Sequence, residues 1–181
     1  MPKGVFTPTV PDDSEIYLGE GIVYADYEEV TQYLIGATRD GSKYEEERVI
    51  RKMPFDGAYG SYQGLRRYER RVPRLIVNFL KFTYLNIVKG LPGVTVTDRG
   101  DYHEIAFDLE IADADYLTNI AFVGQTHEGK VIVIKIFNPL NDGNINLNFK
   151  EKDEVVSPMQ YTGHYGTATP TVCPVEINIY E

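Results

Sequence analysis

Residues 131–137 read Val-Ile-Val-Ile-Lys-Ile-Phe, with apolar side chains at both odd and even positions. Successive side chains of a strand point to opposite faces, so a run that is apolar at both parities needs cover on both sides. The stretch predicts a central strand. Working outward, residues 102–111 alternate strictly. His103, Ile105, Phe107, Leu109 and Ile111 fall on one side, and Tyr102, Glu104, Ala106, Asp108 and Glu110 on the other. That is the pattern of a strand with one buried face. In 145–151, Ile145, Leu147 and Phe149 alternate with Asn146, Asn148 and Lys150 in the same way. Further strands are expected near 22–27, 43–55, 74–82, 94–97, 119–125 and 154–165.

One helix stands out, YLNIVKG at 84–90, with Thr83 placed to cap its start, Gly90 to end it and Pro92 just beyond. A short helical turn is expected after Asp113. No period of 20–50 residues repeats, which excludes solenoids. The fold class is mainly β with one flanking α-helix.

The 181 residues fit one domain with extended ends. Residues 1–20 carry Pro2, Pro8 and Pro11 and read as an N-terminal arm. The β domain spans 21–165, with a loop at 36–68 and the helix at 84–90. Residues 166–181, interrupted by Pro170 and Pro174, read as a C-terminal extended segment. Fourteen Tyr and eight Phe without any Trp favour half-buried pleated surfaces. The formal net charge of −9 argues against sequence-reading DNA binding, which depends on Lys and Arg displacing counterions from phosphates. Double-stranded DNA as cargo that slides past is compatible with it. The single Cys173 permits no intrachain disulfide. No run reaches the roughly 20 apolar residues of a membrane span, and the start has no signal-peptide core, so synthesis and folding in a cytosol are expected.

A search for chemistry yields no catalytic constellation. His103, His127 and His164 are scattered without ligand spacing, and Cys173 lies in a Pro-flanked tail. Gly19-Glu20-Gly21 precedes a strand and opens no helix, so it reads as a flexible joint where the arm meets the domain. Asn141-Asp142-Gly143-Asn144 and Arg99-Gly100-Asp101 read as turns. No cofactor or metal is implied, and an enzyme is not expected.

Two charged stretches remain. KYEEERVIRK at 43–52 carries charge on both faces: it is either a solvated edge or a hairpin arm whose charges meet complementary ones on another subunit. Arg66, Arg67, Arg70 and Arg71, interleaved with Tyr68, form the basic cluster. The candidate inter-subunit contacts are Glu45, Glu46, Glu47, Arg48, Arg51, Tyr59, Arg66, Arg67, Arg70 and Arg71.

Several segments in order resemble one family. Gly36-Ala37-Thr38-Arg39-Asp40-Gly41, the charged strand 43–52, and Phe55-Asp56-Gly57-Ala58 with Gly60 and Gly64-Leu65-Arg66 look like siphophage major tail (tail-tube) proteins. Leu91-Pro92-Gly93, Asp115-Tyr116-Leu117, Asn119-Ile120-Ala121, the run from Asn138 to Gly143, and Tyr161-Thr162-Gly163-His164-Tyr165 continue the likeness over roughly 20–180. The chain departs from the family near Tyr59, where a basic residue is commoner, and near Ser61, where Pro is.

The resemblance implies a tail-tube-type β-sandwich closing towards a barrel, with extended N- and C-terminal arms. Six copies would form a ring, and rings would stack into a tube in the tail of a virion assembled in the host cytoplasm. The arms and the long loop would clasp neighbouring rings. Partners implied are further copies of the chain, the tape-measure, terminator and distal-tail proteins, and DNA in passage, with no membrane. About four inner strands per subunit at about 4.8 Å spacing would leave a bore of roughly 37 Å, wide enough for a duplex. A ring would carry six times −9, or −54 formal charges. The alternatives are another tail ring protein, such as a terminator or distal-tail subunit, and a soluble β-sandwich binding module.

Overall fold

The computed structural model describes residues 17–36, 38–53, 60, 63–80, 83–126, 128–147, 151 and 155–180; the side chains of 17–20 and 40 are outside the description. The chain is mainly β, with two antiparallel sheets around one core. One sheet has five strands: β11 (Val175–Ile179), β8 (Val131–Phe137), β7 (Asn119–Thr126), β1 (Tyr17–Ala25) and β2 (Tyr33–Leu34), in that order. The other has four: β3 (Thr38–Lys52), β4 (Arg66–Phe79), β10 (Ser157–Gly163) and β9 (Pro139–Asn141). A separate hairpin pairs β5 (Val94–Asp98) with β6 (His103–Phe107). The helix α1 (Tyr84–Gly90) precedes it, and a 3-10 turn at Asp113–Asp115 follows it.

The doubly apolar run 131–137 lies between two neighbours, as expected. Ile136 is opposite Ile120 on β7 and Val175 on β11. The inward faces of both sheets meet in one cluster that includes Val23, Ile35, Leu75, Val77, Phe79, Ile120, Ile136, Met159 and Tyr161. Phe79 and Tyr161 meet edge-to-face, their ring centres 6.4 Å apart. Burial pushes the Tyr161 hydroxyl well above its ordinary titration range.

The sheets join at a corner. Asn138, between β8 and β9, takes the left-handed region at φ 45° and carries the chain from one sheet into the other. Its amide side chain donates to the His164 carbonyl at 3.2 Å, which ties β10 to the same corner. At Gly163 an added Cβ would lie 2.6 Å from Ile136 Cγ2 and 3.0 Å from Pro73 Cγ.

A polar knot sets the helix on the core. Asp26 ends β1 at φ 51°, and its buried carboxylate accepts from Thr118 N–H at 3.0 Å and from Lys89 Nζ at 2.6 Å. Buried Asn119 bonds the Tyr27 backbone twice, at 2.8 and 3.1 Å. Thr83 Oγ1 accepts from Asn86 N–H at 3.3 Å, as the capping expectation requires. Gly90 is the last helical residue, but Leu91 leaves in an extended conformation. Gly90 is small because Met159 and Tyr161 pack against it, not because the helix ends left-handed.

The element bounds differ from the expected ones in four places. Strand β1 starts at Tyr17, inside the stretch read as an arm, and Gly21 lies within the strand beside a register shift, with Phe122 packed against it. Within 166–181, β11 pairs with β8 along five residues and belongs to the sheet. Residues 144–147 form no strand, because no described segment pairs with them, and Ile145 and Leu147 are exposed; residues 148–150 lie outside the description. Most described residues within the expected loop 36–68 are strand: β3 begins at Thr38, and β4 already starts at Arg66.

Asp26→Ala leaves Lys89 and the Thr118 N–H without this partner and is expected to cost about 3 kcal/mol. Asp26→Asn keeps one acceptor and should cost less. Urea midpoints of the two variants against the parent check this; equal losses would show that the acceptor kept by Asn contributes nothing and that the charge alone carries the contact.

Candidate assembly interface

Strands β3 and β4 outrun their sheet. The β10 pairing with β4 ends at Thr162 opposite Arg74, yet β4 pairs with β3 down to Lys52 opposite Arg66. The outer part is therefore a two-stranded ribbon. Among the described residues this ribbon has neither a third strand nor a core of its own, so its stability rests largely on side chains across the pair.

Nine of the ten candidate contact residues lie on or beside this ribbon; Tyr59 lies outside the described residues. The structure brings the acidic and basic runs together within one chain, so Glu46 and Glu47 already have cationic partners within it. With Glu46 opposite Pro73 and Glu47 opposite Val72, the diagonal neighbours are arginines. Arg71 and Arg48 both pair with Glu46, the latter at 2.8 Å. Arg70 and Arg74 both pair with Glu47, the latter at 2.9 Å. Consecutive residues face opposite sides, so each face of the ribbon has one carboxylate between two guanidinium groups. Glu45 takes Lys43 at 2.6 Å.

The titration of these groups follows. The Arg71 hydrogen bond holds the Glu46 carboxyl below its ordinary value, and Arg48 adds to this against the cost of burial. Arg74 first, and Arg70 after it, do the same for Glu47. Arg71 is held further into its charged form by Glu46. Its guanidinium also lies 5.0 Å from the Tyr68 ring centre, and its carbonyl accepts from Tyr165 Oη at 2.9 Å.

The tip differs. Arg51 stands opposite Arg67, and Lys52 opposite Arg66, two like-charged pairs in register. These four side chains are exposed and make no ion pair among the described residues. Residues 48–52 and 66–71 together hold seven cations against Glu69 alone, a formal +6. The rest of the chain then carries −15, since the total is −9. Exposed Val49, Ile50, Met53 and Tyr68 lie among these charges.

A second surface was read differently from sequence. The apolar parity of 102–111 is expected to be buried, but Phe107 is 68% exposed and Leu109 fully so, with Ile111 and Tyr102 also in solvent. The β5–β6 hairpin has only two strands; α1 meets that face at His103 through Tyr84, while Phe107 and the residues after it stay exposed. Gly100, at φ 86°, turns it, with its N–H on Asp98 Oδ1 at 2.8 Å.

Among the described residues no three His, Cys, Asp or Glu side chains converge as a metal site, and no helix is long and apolar enough to cross a membrane. Half-buried Cys173 lines a shallow open groove with Tyr68, Arg71 and Tyr165. Arg74 and the exposed set Tyr102, Phe107, Leu109 and Ile111 escape the sequence reading. Arg74 becomes visible only through the diagonal register. Neither the protein-family models nor the curated proteins give a match to the chain.

The two ribbon carboxyls titrate lower in the folded state than in the unfolded one. Their contribution is full above the ordinary carboxylate value of about 4.3 and is lost as the pH falls through the lowered folded values. Amide protection at Glu47 and Val72, corrected for intrinsic exchange, should persist from pH 7 to 5 and fail below about 4, while Val133 and Ile136 stay protected. Ribbon protection that disappears between pH 6 and 5 would rule out the carboxylates as its support.

Proposed function

We propose that this chain is a structural subunit of a bacteriophage tail tube, in which hexameric rings stack into the conduit for DNA ejection. The observation that carries this reading is the charged two-stranded ribbon projecting beyond the last residue of its sheet that a third strand supports. A monomer gains nothing from such a ribbon, whereas a stacking subunit gains a clasp. Among the described residues the outer edges of β3 and β11 are unpaired, which supports the same reading, because unpaired edges invite pairing between copies and a closed ring of strands removes them. The resemblance in the order of segments over 20–180 adds the hexameric ring and the tube.

In this reading the role is mechanical and not enzymatic, and no cofactor takes part. DNA passes without recognition: with +6 confined to the ribbon, the other surfaces of the chain carry the acidic excess that repels phosphates. Partners are further copies, the tape-measure, terminator and distal-tail proteins, in the tail of a virion.

Negative-stain micrographs of the concentrated protein test the reading. Long tubes of uniform diameter with an open bore are expected. Single rings that never stack would point to a terminator or distal-tail role. A protein that stays monomeric at every concentration and binds glycans would be a sandwich binding module, and the proposal would fail.

A further inference from the structure

The ribbon tip and the β5–β6 hairpin lie at opposite ends of the chain's long strand. Strand β4 runs from Arg66 at the tip to Phe79, thirteen steps of about 3.3 Å, or about 43 Å. Beyond Phe79 the chain enters α1, and the helix leads directly into β5. The His103 ring of β6 lies 4.0 Å from the ring of Tyr84, the first helical residue, which holds the hairpin at that end.

The two ends are complementary in charge. Residues 98–115 contain seven carboxylates and one cation, Arg99, a formal −6 against the +6 of the tip. Both surfaces also mix charge with exposed apolar side chains: Ile50 and Tyr68 on the tip, Phe107 and Leu109 on and after the hairpin. Like charges directly opposed across a strand pair are destabilising, so Arg51–Arg67 and Lys52–Arg66 weaken the free ribbon. An acidic surface laid on the tip removes that cost.

We propose that the ribbon tip of one copy docks on the acidic and apolar β5–β6 surface of a second copy, which joins copies head to tail. This rests on the reading of the chain as a stacking subunit and names the surface that its clasp grips. A head-to-tail contact between different surfaces propagates along an axis when its rotation does not close a ring, and between stacked rings it extends the tube. Opposite charge also selects the register and speeds encounter, and salt weakens it.

Charge exchange tests this on the full chain. One variant carries Arg51→Glu, Lys52→Glu and Arg67→Glu; another carries Asp101→Lys, Glu104→Lys and Glu110→Lys; a third carries all six. Circular dichroism confirms that each folds. Each single-surface variant should need at least about tenfold more protein than the parent to associate in sedimentation. The equimolar mixture of the two, and the sixfold variant alone, should recover parental association. Tubes from both single-surface variants at parental concentration would leave the tube reading intact and overturn this docking. Recovered pairwise association without tubes in any sample, parent included, would keep the docking and overturn the tube reading. Loss without recovery in the mixture and the sixfold variant overturns the docking. Tight binding of a 30-base-pair duplex by the dilute parent, abolished only by the ribbon variant and with no recovery in the mixture, would identify the occupant as nucleic acid and overturn it as well.

Discussion

Two strands cannot bury both of their faces, and the stability of this molecule is divided by that limit. Where β10 lies beside β4, the inward side chains of Leu75, Val77 and Phe79 reach a shared core and hydrophobic burial holds the sheet. Past Arg74 the same two strands have no third strand among the described residues, only the Tyr165 contact at Arg71, and apolar burial gives way to arginine–carboxylate pairs on the diagonals of the ladder. Exposed pairs of this kind contribute little singly, so their arrangement as two bracketed carboxylates, one on each face, is what gives the ribbon a defined shape. At the tip even this support ends, and the remaining charges are all of one sign across the strands. The molecule thus becomes less self-sufficient with distance from its core, which is the gradient expected of an element completed by another molecule.

The opposite end of the chain depends on the core in a different way. Asp26, Lys89 and Asn119 join β1, β7 and α1 through buried polar contacts, and α1 in turn holds the β5–β6 hairpin through Tyr84. These contacts are directional, so they fix where the hairpin sits without covering its outer face.

Much of the architecture is legible in the sequence because its signals are local. Thr83 and the following apolar spacing mark the helix, and the doubly apolar run 131–137 marks the central strand. Strand β2 is two residues long and leaves no periodic trace. The failures share a cause. Alternation in 102–111 records that one face suits burial, but it does not say in which molecule the burial takes place. Phe107 and Leu109 read as core and lie in solvent. The reverse holds for the ribbon: Glu46 and Arg71 read as charges on a solvated surface or facing another subunit, and they pair within the chain, because 25 residues of separation hide a diagonal contact that only the register reveals. The described candidate residues share one ladder, β3 with β4, while the division between internally paired and unpaired charges was not readable from the sequence.

A cryo-electron microscopy map of the assembled protein tests the central claim most directly. The account predicts stacked rings of six, with the β3–β4 ribbon of each subunit crossing the ring boundary and its tip beside residues 98–111 of a subunit in the next ring. An assembly in which the ribbon folds back on its own subunit or faces solvent, with rings held through other surfaces, would contradict it.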